Sequence, residues 1–381
     1  MDFSWSEEQE RLYASVVRFA EEQLDPDPVR RDAAGEFDAD VWRRCADFGV
    51  LGWFVPEEHG GAGYDVLTVA YLMEGLGRGC GDNGLTFALG TQIWGIQPLL
   101  LNFGTEEQVV RYVGPSMKGE LIGALGMTEE QSGSDAFALA ATASQEGDEY
   151  VLRGEKTLIT FGPIADMVIV FAVTDPSAGR WGVSAFLVDS DAPGFVAHPA
   201  DEMTGLRTVP FGRITLDDCR VPAANLLGDE GAGASIFNFS QRWERAFVLA
   251  PQVGAMQRVL DACVAFARER ERGGIPIGKR QAVSHRISDM RLRLELARLL
   301  LYKTAWLRQT GRSDLMEVAL TKTYLSEAFV ESSLDAIAVH GGKGYATATG
   351  IERNLRDALG ATIYSGTVDI QRNIVAALLG L

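Results

Sequence analysis

The chain changes its hydrophobic period twice, and this order of textures restricts the fold more than any single motif does. From the start to about residue 112, apolar residues recur at helical spacing. In SEEQERLYASVVRFAEEQL, Leu12, Val16 and Phe19 share a face behind a Ser and carboxylates suited to a helix N-terminus. PEEHGGAGYD breaks the pattern with Pro56 and a glycine cluster, a loop signal, before helical text resumes in VLTVAYLMEGLG and TEEQVVRYVGPSMKG. From about 120, DEYVLRGEKTLIT, DMVIVFAVTD, WGVSAFLVDS and FGRITLDDCRV are short runs of Val, Ile, Phe and Thr punctuated by Gly, Asp and Pro, which is strand text. After about 233 the helical period returns and persists to the end.

The sequence therefore predicts an α+β multidomain fold. It places a helical domain over 1–112, an antiparallel β domain over 113–230, and a four-helix bundle of long amphipathic stretches over 231–381. LARLLLYKTAWL reads as bundle core rather than as a binding stripe. The 35 basic against 52 acidic residues, a net charge of −17, argue against a nucleic-acid partner. Cys45, Cys80, Cys219 and Cys263 form no CxxC or Cys/His cluster, so isolated buried thiols are expected rather than a metal site. MDFSWSEEQERLY is acidic and polar, unlike a signal peptide, and no apolar run reaches membrane-spanning length, so a cytoplasmic protein without membrane insertion is expected. The glycine clusters GDEGAGA and HGGAG fit neither a P-loop nor a dinucleotide fingerprint.

Seven stretches, in order, carry a family resemblance: DFSWSEEQERLYASVVRFAEEQL, VPEEHGGAGYD, GMTEEQSGSD, KTLITFGPIAD, LDDCRVPAANLLGDEGAG, HGGKGY and RDALGATIYSGTVDIQR. Together they resemble the FAD-dependent acyl-CoA dehydrogenases across essentially the whole chain. The resemblance implies that a base takes the α-proton of an acyl thioester while the β-hydrogen leaves as hydride to flavin N5. It also implies that charge building on the thioester oxygen is met by a backbone N–H.

IYSGTVDIQR raises the central difficulty, because Ser365 stands where the family motif usually carries the catalytic acid. A backbone donor survives that change, so Ser365 N–H keeps its implied role toward the thioester carbonyl. QRWERAFVLA resembles the family subset in which the glutamate is displaced to this helix directly before an arginine, and there Glu244 precedes Arg245. Glu244 is thus the candidate base, with Asp369 a shorter-reaching rival. The bland alternative makes Glu244 a surface carboxylate paired with Arg242 or Arg245.

The resemblance also implies flavin contacts from Leu125, Met127, Thr128, Ser134, Leu158 and Thr160, and substrate contacts from Ser134, Arg245 and Tyr364. Leu158 replaces the usual Trp over the flavin face, and Phe161 stands where Asn is common. Arg270, Gln281, Gly341, Gly342, Thr367 and Asp369 match further FAD contacts, several of them supplied across a subunit interface, which implies a homo-oligomer, a dimer or tetramer. Gly273 and Ala338 replace a family Phe and Gln there. The implied partners are an acyl-CoA or acyl-carrier-protein thioester and an acceptor such as an electron-transfer flavoprotein, in a specialised biosynthetic setting. A flavin oxidase or monooxygenase on the same scaffold, and a non-catalytic flavoprotein subunit, stay open at this point.

Overall fold

A computed structural model describes residues 4–24 and 27–381. Asp2 and Phe3 of the first family motif lie outside them. The chain opens with helices α1 (Glu7–Gln23), α2 (Pro28–Ala34), α3 (Ala39–Asp47), α4 (Val66–Gly79), α5 (Asn83–Thr91), α6 (Gln97–Phe103) and α7 (Glu106–Met117). Strands follow: β1 (Gly123–Gly126), β2 (Thr142–Glu146), β3 (Glu149–Thr160), β4 (Met167–Val173), β5 (Val183–Asp189), β6 (Phe195–Ala197), β7 (Phe211–Pro222) and β8 (Leu226–Leu227). Then come α8 (Gly233–Phe247), α9 (Ala250–Glu269), α10 (Gln281–Gln309), α11 (Leu315–His340), α12 (Gly342–Tyr345), α13 (Ile351–Ala361) and α14 (Val368–Leu378).

Local chemistry explains several boundaries. Ser6 Oγ accepts from Gln9 N while Gln9 Oε1 accepts from Ser6 N, a reciprocal cap that starts α1. Thr105 and Gln108 repeat the device at α7. The helical text after 233 is interrupted early: α8 stops at Phe247 and α9 starts at Ala250, with Pro251 in its first turn, where its missing N–H costs nothing. The final helical text splits into α13 and α14 around the turn that carries Ser365.

The sheet runs β6-β7-β3-β2-β4-β5-β8, with β1 paired to β4. It is antiparallel apart from the β1–β4 ladder and one parallel bridge between β2 and β4. MVIVFAV is apolar at every position because both sheet faces are covered. Val168, Val170 and Ala172 join the large core shared with the helices, while Met167, Ile169 and Phe171 pack with Leu99, Tyr112 and Ile236 on the other face.

The first helices dock on the bundle at backbone distance. A Cβ at Gly77 would lie 1.9 Å from Pro251 O, and one at Gly254 would lie 1.9 Å from Glu74 O, so α4 and α9 cross only because both are glycines. α10 departs from expectation. Leu294, Ala297 and Leu301 are core, but Leu292, Leu296, Leu299 and Trp306 are exposed, so LARLLLYKTAWL is apolar on two faces and only one belongs to this chain's core. The four cysteines are buried and form no disulfide among the described residues. Among the described residues no helix is long and apolar enough to cross a membrane, and no His/Cys/Asp/Glu group is placed to hold a metal.

Candidate active site

A cavity of about 820 Å³ lies where the three segments meet, a size common for small-molecule sites. One wall is the sheet, through Leu125, Met127, Thr128, Leu158 and Thr160; Ser134 joins them from the following loop. Phe87 and Thr91 of α5 and Gly95 close another side. Gln241, Glu244 and Arg245 come from α8, and Tyr364, Ser365, Gly366 and Thr367 from the turn between α13 and α14.

Among the described residues, Glu244 is the one carboxylate that lines this cavity. Its Oε1 accepts a hydrogen bond of 2.6 Å from the Ser365 hydroxyl. Its Oε2 faces Gly95, where a Cβ would come within 3.6 Å, so the missing side chain leaves that oxygen room. Burial pushes the Glu244 carboxyl above the ordinary carboxylate range; the Ser365 hydrogen bond, then the charges of Lys322 and Arg245, pull the other way. The surface-pair alternative is not what the structure holds. Arg242 pairs with Asp314 at 3.3 Å, and Arg245 Nε is buried with no hydrogen-bond partner among the described residues. Asp369 does not line the cavity; its side chain is 85% exposed and pairs with Arg372.

Ser365 sits at φ +52°, a left-handed conformation that is costly for any residue with a Cβ. No hydrogen bond engages its backbone N–H among the described residues, which leaves the donor free. Leu158 (φ +54°) and Leu206 (φ +53°) also line the cavity, so three of the five described non-glycine residues with positive φ gather there. Backbone strain concentrates where geometry is held for function. Phe161, at φ +64°, is fully buried edge-on to Phe37 and Trp42, each 5.4 Å away, so packing holds the turn that an Asn would favour intrinsically.

The sheet wall is anchored from below. Lys156, fully buried, donates to Glu129 at 2.6 Å and to Met127 O, while Glu129 accepts from the Ala140 and Ala141 N–H groups. Desolvation lowers the Lys156 ammonium to about 8 despite its carboxylate partner. This pair ties Met127 and Glu129 to β3 and to the backbone at Ala140 and Ala141. The wall above it suits a planar ring: Leu158 is an apolar side chain left 57% exposed, beside the polar Thr128 and Thr160, and Arg245, whose buried Nε has no hydrogen-bond partner among the described residues, also lines the cavity.

Arg270, Gln281, Gly341 and Gly342 do not line the cavity of their own chain. Arg270 caps α9, Gln281 starts α10, and Gly341 ends α11 at φ +59°. Sequence reading missed Lys322, Gln252, Gly95 and the Met203–Leu206 loop. Only Lys322 left a signal, lying on the α11 stripe of Val318, Leu325 and Phe329, where a lysine has to be buried.

Comparison with known proteins places this geometry. The acyl-CoA dehydrogenase N-terminal, middle and C-terminal domain families match residues 6–120, 124–219 and 231–380. The chain belongs to the acyl-CoA dehydrogenase family. An L-prolyl-[peptidyl-carrier protein] dehydrogenase of Pseudomonas fluorescens is 39% identical over 383 residues, covering 100% of both chains. The crystal structure of the prolyl acyl carrier protein oxidase AnaB superposes with a TM-score of 0.97 at 43% identity, covering 99% of this chain and 100% of that one. The structure of PigA with FAD and proline gives 0.97 at 36% identity, covering 100% of both.

Proposed function

We propose that the chain catalyses FAD-dependent α,β-dehydrogenation of an acyl thioester, with Glu244 as the base. The observation that carries this reading is Glu244 itself: the one cavity-lining carboxylate, held by the residue that occupies the usual acid's place. Leu125, Met127, Thr128, Leu158, Thr160 and Thr367 would hold the flavin, with Ser134 at its edge. FAD, when bound, supplies the acceptor for the β-hydride. Glu244 Oε2 accepts the α-proton, and the Ser365 N–H donates to the thioester oxygen as charge builds there. Tyr364 and Arg245 shape the wall beside the reacting carbons. A C–H bond is lost at each of the two carbons, and a double bond forms between them.

The prolyl-carrier-protein relatives support a thioester presented on a carrier protein, in a biosynthetic setting, over one on coenzyme A. Arg270, Gln281, Gly341, Gly342 and Asp369 lie outside their own cavity, which supports a homo-oligomer in which they reach a neighbouring subunit's flavin. The name of the AnaB relative favours a second reading of the oxidative half-reaction, with oxygen rather than an electron-transfer flavoprotein as acceptor.

The test is an anaerobic panel of carrier-bound and CoA-bound acyl thioesters mixed with flavin-loaded protein. The expected result is bleaching of the flavin by a carrier-bound thioester, with a product lighter by two hydrogens. A panel that neither bleaches the flavin nor yields that product overturns the proposal. Peroxide formed in air would identify oxygen as the acceptor.

A further inference from the structure

The turn between α13 and α14 is clamped more firmly than a surface turn requires, and the clamp ends at Glu244. Lys322 of α11 is fully buried, yet no carboxylate among the described residues forms an ion pair with it. Its ammonium donates to the Ala361 carbonyl, one of the last of α13, and lies 4.8 Å from the centre of the Tyr364 ring. Ser326, one helical turn further along α11, donates to the same carbonyl at 2.9 Å. From α9, Gln252 Nε2 donates to the Tyr364 hydroxyl at 2.7 Å. Gln371 of α14 donates to Gly366 O at 3.1 Å. Residues 361, 364 and 366 are therefore each tied to a different helix. Ser365 lies inside this frame, in a left-handed conformation it would not choose, with its hydroxyl on Glu244 Oε1.

We propose that Ser365, held by the Lys322–Tyr364 clamp, is a positioning residue whose hydroxyl fixes one oxygen of Glu244 and leaves the other aimed into the cavity. The serine that replaces the usual acid thus takes up a second task, orienting the acid that has moved. This rests on the reading of Glu244 as the base.

The groups facing Glu244 are few. Ser365 and Tyr364 come from the turn, Lys322 from α11, Arg245 from its own helix, and Gly95 stands opposite without a side chain. Removing the Ser365 hydroxyl or the Lys322 charge deletes an influence that favours the ionised carboxylate. Both changes act in one direction, raising the pH at which Glu244 ionises.

The experiment compares Ser365→Ala, Ser365→Gly and Lys322→Met with wild type by two readouts. The first is infrared titration of the buried carboxyl in flavin-free protein, its band identified by its loss in Glu244→Gln. The second is the pH profile of thioester-driven flavin bleaching. We expect the midpoint of the band and the acid limb of the profile to move upward together in all three variants. We expect kcat to fall about tenfold in both Ser365 variants while KM changes less than twofold. Ser365→Gly tolerates positive φ, so the same loss there assigns the effect to the hydroxyl rather than to the backbone. A Ser365→Gly protein with wild-type kcat and an unmoved band overturns the proposal. So does a Lys322→Met protein that leaves both unchanged. Bleaching at the wild-type rate in Glu244→Gln would instead overturn the base assignment on which the proposal rests.

Discussion

At the scale of single residues, the site costs stability where it supplies chemistry. Desolvation raises the Glu244 carboxyl above its ordinary value of 4.5, so the folded protein favours its neutral form. The stabilisation tied to that neutral form is fully present below about 4.5 and is lost as pH rises through the raised value. Glu244→Gln mimics the neutral form permanently. We predict that it melts at a higher temperature than wild type at pH 7 to 8, with the advantage vanishing toward pH 4, as read by melting curves across pH. Activity has the opposite slope. As the proposed base, Glu244 works only when ionised, so kcat/KM should rise with pH along an acid limb placed above the usual carboxylate range. Glu244 could be singled out in QRWERAF, because its place before an arginine could be read beside the serine at 365, and the structure puts it in the cavity. Its partner was not, because no pattern along the chain reports that residues 244 and 365 meet.

At the scale of elements, capping boxes and strand texture could be read in advance because their chemistry is local. The break between α8 and α9, and the split into α13 and α14, could not, because long-range packing chooses them. Asp357 on α13 shows how such packing holds the cavity rim. It accepts from Leu206 N at 2.7 Å and from Asn83 Nδ2 at 2.9 Å, which joins α13 to the Met203–Leu206 loop and to α5. Asp357→Ala strands the buried Leu206 N–H and leaves Asn83 Nδ2 with only Asn354 Oδ1, and should cost about 2 kcal/mol in urea unfolding. Because Leu206 lines the cavity, the variant should also release flavin more readily, as measured by cofactor retained through gel filtration. Leu158 offers a gentler change: Leu158→Trp restores an aromatic cover on an exposed wall position and should slow flavin loss in the same assay.

At the scale of the whole molecule, the three-part architecture was readable because hydrophobic period alone separates its segments. The surfaces of α10 were not, because periodicity finds apolar residues without saying which chain covers them. Leu292, Leu296 and Leu299 lie open on one face, and Arg270 and Gln281 stand outside the cavity of their own chain. The homo-oligomer proposed above would account for both observations. We predict a sedimentation mass that is a multiple of the 41.3 kDa chain, and a weakened flavin complex in Arg270→Ala despite that residue's absence from its own cavity. A monomer that binds FAD as tightly without Arg270 would contradict this. The central claim meets its most direct test in stopped-flow bleaching of the flavin under anaerobic conditions, with the thioester that wild type oxidises fastest. Glu244→Gln should bind that thioester, perturb the flavin spectrum, and bleach at least a hundredfold more slowly than wild type. Bleaching at the wild-type rate would show that the proton leaves by another route and that the base has not moved to Glu244.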